Sequence, residues 1–345
     1  MLLLYCNSSL GIGGAELSIR TADELHIVSD TEAIAEYSYV FGCPYSWPPG
    51  LMRYRSLSTH QSDWIVEVGN WLAFAKQNGF YDALVNRLQV KTWKNKPGLA
   101  TLEDVAHTKM HEVLHEVMVS YVFVRNGWTF INPYRTSKAA NEQRGLDHDG
   151  CLRAPNGVDV FVQTKTPFVG ENLNGRAKKF PSIFRKGIKS TKRLDPLVPR
   201  IIVISPIDSG FPSSLEPLYI DYYAIGSTTQ YPTGEIILHK DRYGLFHNRK
   251  EISALVVLNY ARSVNVCYYS GTVLLNPWAA TKLDKSLFFD MNVLSYDNEA
   301  FSWSGGEPYT TIPDGTFVSN KTSEEYWLDN AQRIYDFVEK ERANI

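Results

Sequence analysis

Gln163 and Lys165 stand two residues apart at the end of the run Gly157–Lys165, GVDVFVQTK. Strand alternation puts Asp159, Phe161, Gln163 and Lys165 on one face and Val158, Val160 and Val162 on the other. A strand anchored through its valines has no packing use for an amide and an amine side by side on its opposite face. A hydrolytic site that works with a metal ion does. Just upstream, Asp147 and Asp149 sit in the run Gly145–Ala154, and Pro155-Asn156-Gly157 is a turn signal that folds this run back onto the strand. That fold-back brings a carboxylate towards Gln163 and Lys165.

These residues need elements to position them, and the flanking pattern supplies candidates. A long amphipathic segment, Leu102 to Val124, carries Glu112 and Glu116 and is followed by a strand-like Trp128–Ile131. After Lys165 comes a basic, helix-capable stretch, and then a second apolar run, Arg200–Ser205. Helix with Glu, strand, Asp hairpin, strand ending in an acid or amide plus Lys, then a further strand: this order resembles the PD-(D/E)xK superfamily of restriction-endonuclease-like nucleases. The QxK ending is similar to the Mrr-type branch, in which glutamine replaces the second acid. The resemblance covers residues 101–205, about a third of the chain. It implies an α/β (α+β) fold whose core is a mixed central sheet flanked by helices, with N-terminal and strand-rich C-terminal elaborations.

The resemblance also implies a chemistry. Phosphodiester hydrolysis builds negative charge on phosphoryl oxygens, so such a site uses Mg²⁺ (or Mn²⁺) on oxygen ligands. Asp149 or Asp147 would be the carboxylate ligand, beside the Gln163 side-chain oxygen. Lys165 would orient the attacking water and favour its deprotonated form. Because Gln carries no charge, a further acid is wanted. Glu116 is the better helix candidate, since Glu112 points almost directly away from the stripe Ala106, Met110, Val113, Leu114, Val117 and Tyr121. The register raises a conflict. A two-residue hairpin centred on Asn156-Gly157 sets Gly150 and His148 opposite Gln163 and Lys165, leaving both aspartates on the other face. An odd loop length, or a bulge at Gly150, would re-aim them. Asp159 reads as half of a surface pair.

Two further readings share these residues. His111-Glu112-Val113-Leu114-His115 spells HExxH, in which two histidines one turn apart bind Zn²⁺ and the glutamate serves as general base of a metallopeptidase. A catalytically inactive nucleic-acid-binding or interaction protein of the nuclease fold is equally compatible with the glutamine and the awkward Asp register. For the nuclease reading, charge supports DNA as partner. Residues 125–200 hold fifteen Lys and Arg against six Asp and Glu, a local +9 that leaves −11 elsewhere in a chain of net charge −2. Arg176, Lys178, Lys179, Arg185, Lys186 and Lys189 form its densest part, where phosphates would be met. Restriction or another defence is the expected setting, and paired cuts on a duplex would favour a homodimer.

Composition is that of an ordinary globular protein, 44% hydrophobic and 21% charged over 345 residues. Three regions are expected: an α/β extension over 1–100, the core over 101–205, and a strand-rich part over 206–345 closed by a helix from Thr322 and possibly continuous with the core. The N-terminal region is expected to contribute short strands at Leu2–Cys6 and Leu25–Ser29 and a helix at Asp63–Gln77. Its Gly11–Glu16 turn resembles the GGAE opening of some glycosyltransferases, without their C-terminal acidic motif. Strands are expected at Tyr219–Ile225, Glu235–His239, Ile252–Asn259 and Thr272–Leu275. Cys6, Cys43, Cys151 and Cys267 show no paired spacing, and no apolar run approaches a membrane span, so a cytoplasmic protein with reduced thiols is expected.

Overall fold

The computed structural model describes residues 26–41, 61–88, 102–132, 150–166, 197–205, 228–230, 236–238, 246, 249–262, 267–288, 291–304 and 323–343. Among the described residues, four helices precede the sheet: α1 (Asp30–Phe41), α2 (Gln61–Gln77), α3 (Tyr81–Leu88) and α4 (Leu102–Arg125). Strands β1 (Thr129–Asn132), β2 (Gly150–Arg153), β3 (Asp159–Lys165) and β4 (Arg200–Ile204) follow. Then come the short pair β5 (Thr228–Gln230) and β6 (Ile236–Leu238), and β7 (Ala254–Arg262), β8 (Cys267–Leu275), β9 (Asn292–Asp297) and β10 (Ala300–Ser304), before the last helix α5 (Ser323–Ala343). Eight strands form one mixed sheet in the order β1-β2-β3-β4-β7-β8-β9-β10. β1, β2 and β3 make an antiparallel meander, and β3, β4 and β7 run parallel. The fold is therefore mixed α/β, as the residue pattern suggests.

The sheet is buried on both faces, which explains why β4 reads as an unbroken apolar run, RIIVI. Val160, Val162, Ile201 and Val203 pack with Val113, Leu114 and Val117 of α4 and with Trp71 and Leu72 of α2. On the other face Ile202, Ile204, Leu255 and Val257 pack with Ala331, Ile334 and Val338 of α5. The α4 stripe Met110, Val113, Leu114, Val117 and Tyr121 is buried as its spacing requires. The helix ends where Gly127 takes φ +87°, with Trp128 N–H on the Phe123 carbonyl and Gly127 N–H on that of Val124. This is the left-handed C-terminal cap that glycine supplies without a Cβ penalty.

The three regions drawn from composition share this one scaffold. β7 to β10 extend the sheet begun by β1 to β4. From the N-terminal region, Trp71 Nε1 of α2 donates to Tyr269 Oη of β8 at 2.8 Å, and that hydroxyl donates to the buried Glu67 carboxylate at 2.5 Å. His26 Nε2 meets the other Glu67 oxygen at 2.5 Å. At 26–29 the expected strand is replaced by an irregular lead into α1. The amides of Ile27 and Val28 donate to Asn70 Oδ1 at 2.9 and 3.2 Å, so a buried side chain on α2 takes the place of a neighbouring strand. The expected strands at Leu2–Cys6 and Tyr219–Ile225 lie outside the described residues. Among those residues, no helix is long and apolar enough to cross a membrane.

Candidate functional site

The β2–β3 connection decides where the candidate side chains go. Ala154 N–H bonds the Val158 carbonyl and Gly157 N–H bonds that of Ala154, both at 2.8 Å, enclosing the loop Pro155-Asn156-Gly157. Gly157 takes φ +85°, the left-handed position that ends a three-residue hairpin loop. The loop is thus odd in length, and the register differs by one from that of a two-residue turn. Gly150 pairs with Val162, Cys151 with Phe161, Leu152 with Val160 and Arg153 with Asp159. This last pair closes the exposed end: Arg153 Nε and Nη2 donate to the two Asp159 oxygens at 2.7 and 3.3 Å. The hydrogen bond from Arg153 holds the Asp159 carboxyl below its ordinary value. Asp159 is the surface partner its position suggested.

At the other end of β3 the candidate residues gather. Gln163 and Thr164 are buried and Lys165 is half-buried. In the parallel ladder Gln163 pairs with Ile202 and Lys165 with Ile204. Both side chains therefore belong to the sheet face that carries the α5 cluster, one residue apart on the same edge of the pleat. Thr164 lies on the α4 face with Val162. The carboxyl ends of three adjacent parallel strands meet here, which is the edge of an α/β sheet where ligands are commonly bound.

α4 brings different residues. The tight turn into β1 makes it run against β3 and β4, so its N-terminal half lies over their carboxyl ends. His115, 7% exposed, points Nδ1 at Ser205 Oγ, 2.7 Å away, directly after β4. Ser205 in turn donates its N–H to the Lys165 carbonyl at 2.9 Å. Glu116 does not join Gln163 and Lys165. It sits on the helix covering the opposite face, and its Oε2 accepts from Arg87 Nη1 of α3 at 2.9 Å. Glu112 is half-buried on the same helix. The reason is rotational: Val113, Leu114 and Val117 fix α4 on the sheet, and the residue after Val113 and Leu114 on that stripe that turns inward is His115.

Of the remaining sequence-derived residues, Asp147 and Asp149, the side chain of His111, and Arg176, Lys178, Lys179, Arg185, Lys186 and Lys189 lie outside the described residues. Among those that are described, no three His, Cys, Asp or Glu side chains come together as a metal cage. Ser205, Thr164 and Arg87 are the site neighbours that residue patterns did not single out. Ser205 left only a faint signal, a polar residue closing an otherwise apolar strand. Cys151 is buried on β2, its thiol pushed up to about 11 by burial, so it takes no part as a thiolate at neutral pH. No family model, no curated protein and no solved structure matches this chain.

Proposed function

We propose that this protein is a metal-dependent phosphodiesterase acting on DNA, with Gln163 and Lys165 at the reacting centre. The observation that carries the reading is the odd hairpin loop. Taken one step past Gly150 and Val162, the same ladder would set position 149 opposite Gln163 and position 147 opposite Lys165. The conflict that a two-residue turn creates would then disappear, and a carboxylate, an amide oxygen and an ammonium would share one face. The order helix, three-stranded antiparallel meander and parallel fourth strand also matches what a restriction-endonuclease-like core requires, and it supports the same reading.

The donor set suits a hard divalent cation: Asp149 would add a carboxylate oxygen to the buried Gln163 amide oxygen, and Cys151, which pairs with Phe161 and so shares this face, is kept as a neutral thiol by burial. Mg²⁺ held by these oxygens would neutralise charge developing on the phosphoryl group. The chain's own part falls to Lys165. Its ammonium, half-buried on β3, would orient an attacking water and offset the negative charge of its deprotonated form. Glu116 stays outside this set because Arg87 already neutralises it. Restriction or defence as the setting, and a dimer as the assembly for paired cuts, are part of the proposal.

The test is cleavage of supercoiled, linear and single-stranded DNA by wild type, Lys165→Ala and Asp149→Asn, with Mg²⁺, Mn²⁺, Zn²⁺ or EDTA. Cleavage that needs Mg²⁺ or Mn²⁺ and disappears in both variants is expected. Cleavage that survives Lys165→Ala would remove the lysine from the mechanism. DNA retention without cleavage would replace the enzyme by a binding protein of the same fold.

A further inference from the structure

The His115–Ser205 pair sits on the face of the sheet opposite the Gln163 and Lys165 side chains, yet its second link ends on the backbone of Lys165 itself. Burying an imidazole in an otherwise apolar helix–sheet contact costs stability unless its polar atoms are satisfied. His115 stands on a helix whose neighbouring residues Leu114, Val117, Met118 and Val119 are all buried. Ser205, fully buried, meets that need with its hydroxyl, 2.7 Å from Nδ1. The same residue's amide holds the Lys165 carbonyl at 2.9 Å, at the last rung of the parallel ladder. β3 ends at Lys165 and β4 at Ile204, so this hydrogen bond closes the ladder at its last pair.

We infer that His115 is a positioning residue: through Ser205 it pins the backbone at Lys165 from the α4 side and so fixes where the lysine ammonium emerges on the other. This deepens the nuclease reading and rests on Lys165 acting there. The physical logic is that a side chain on one face of a strand can be held only through its own backbone from the other face. A displacement of the order of 1 Å at a reacting group lowers a rate by as much as about a hundredfold. The link acts from the face opposite the Gln163 and Lys165 side chains, so it should alter the rate and leave DNA binding unchanged.

The test uses the full chain as wild type, His115→Asn, His115→Leu and Ser205→Ala. Each is assayed on supercoiled plasmid with Mg²⁺, and hydrogen exchange of the Ser205 amide is read in the same proteins. Asn keeps a hydrogen-bonding atom near the place of Nδ1, whereas Leu fills the space without one. Expected are a loss of about tenfold or more in kcat with unchanged KM for His115→Leu and Ser205→Ala, faster exchange of that amide in His115→Leu, and recovery of most of both in His115→Asn. Equal kcat and equal exchange in His115→Leu and wild type would overturn the inference, as would His115→Asn behaving like His115→Leu. A wild type that cleaves nothing would instead overturn the nuclease reading, and the exchange rates would then decide by themselves whether His115 holds the strand end.

Discussion

Gly69 offers a test of the packing argument in which the sign alone decides. Replacing a glycine by alanine inside an uncrowded helix stabilises by about 1 kcal/mol, because alanine loses less backbone freedom on folding. Gly69 lies in the middle of α2, where a Cβ would stand 2.1 Å from the Ala33 carbonyl oxygen and 2.7 Å from its Cα. Those atoms are backbone of α1 and cannot swing aside, so the two helices would have to separate by roughly 1 Å to reach ordinary contact. The separation loosens Ala33 and Tyr37, the two buried residues of α1. Overpacking of this kind costs about 1–3 kcal/mol. A 2.1 Å approach to backbone puts the cost at the upper end of that range, so after the helix-propensity gain is set against it Gly69→Ala should lose about 2 kcal/mol. Urea unfolding followed by circular dichroism should show a lower midpoint with unchanged slope. A variant that gains about 1 kcal/mol would mean that α1 and α2 do not cross at Gly69, and would refute the account of how the N-terminal helices join the core.

Three further outcomes follow from named contacts. Tyr269→Phe deletes the hydroxyl that joins Trp71 Nε1 to the buried Glu67, leaving two polar groups short of a partner. It should cost about 2–3 kcal/mol in the same unfolding assay, and a loss below 1 kcal/mol would contradict the bridging role. Asn298 and Glu299 form the β9–β10 turn at φ +51° and +65°, a conformation that penalises a side chain, so Glu299→Gly should raise stability by about 0.5–1 kcal/mol. The Asp159 carboxyl is held below its ordinary 3.8 by Arg153, so the pair contributes stability above that value and loses it as pH falls through the lower folded-state value. Asp159→Asn should therefore be slightly less stable than wild type at pH 7, with the difference fading below about pH 4; both side chains are about half exposed, so the effect is small.

The elements that sequence periodicity defines best are those whose burial is one-sided or complete. The α4 stripe is an example: its spacing predicts a helix over 102–124, and the helix spans Leu102–Arg125. The valine alternation of β3 and the apolar run of β4 are equally legible. β9 and β10 were not, because their two-residue turn is Asn-Glu where a hairpin is usually signalled by Asn-Gly. The 26–29 segment misleads in the opposite sense. Its apolar residues suggest a strand, but whether a segment pairs depends on what meets its amides, and here Asn70, forty-odd residues away, does so.

The same division runs through the candidate site. Residue types and spacing alone bring Gln163 and Lys165 to one face of one strand, since a period of two is a property of the extended backbone. The turn chemistry of Pro155-Asn156-Gly157 is local too, but whether it closes as two or three residues depends on the strand pairing around it, and that choice decides which side of β2 faces Gln163. Only tertiary structure could turn Glu116 towards Arg87 and His115 towards Ser205. Those partners lie 29 and 90 residues away, and rotating a helix about its axis is settled by the packing of its buried face against the sheet.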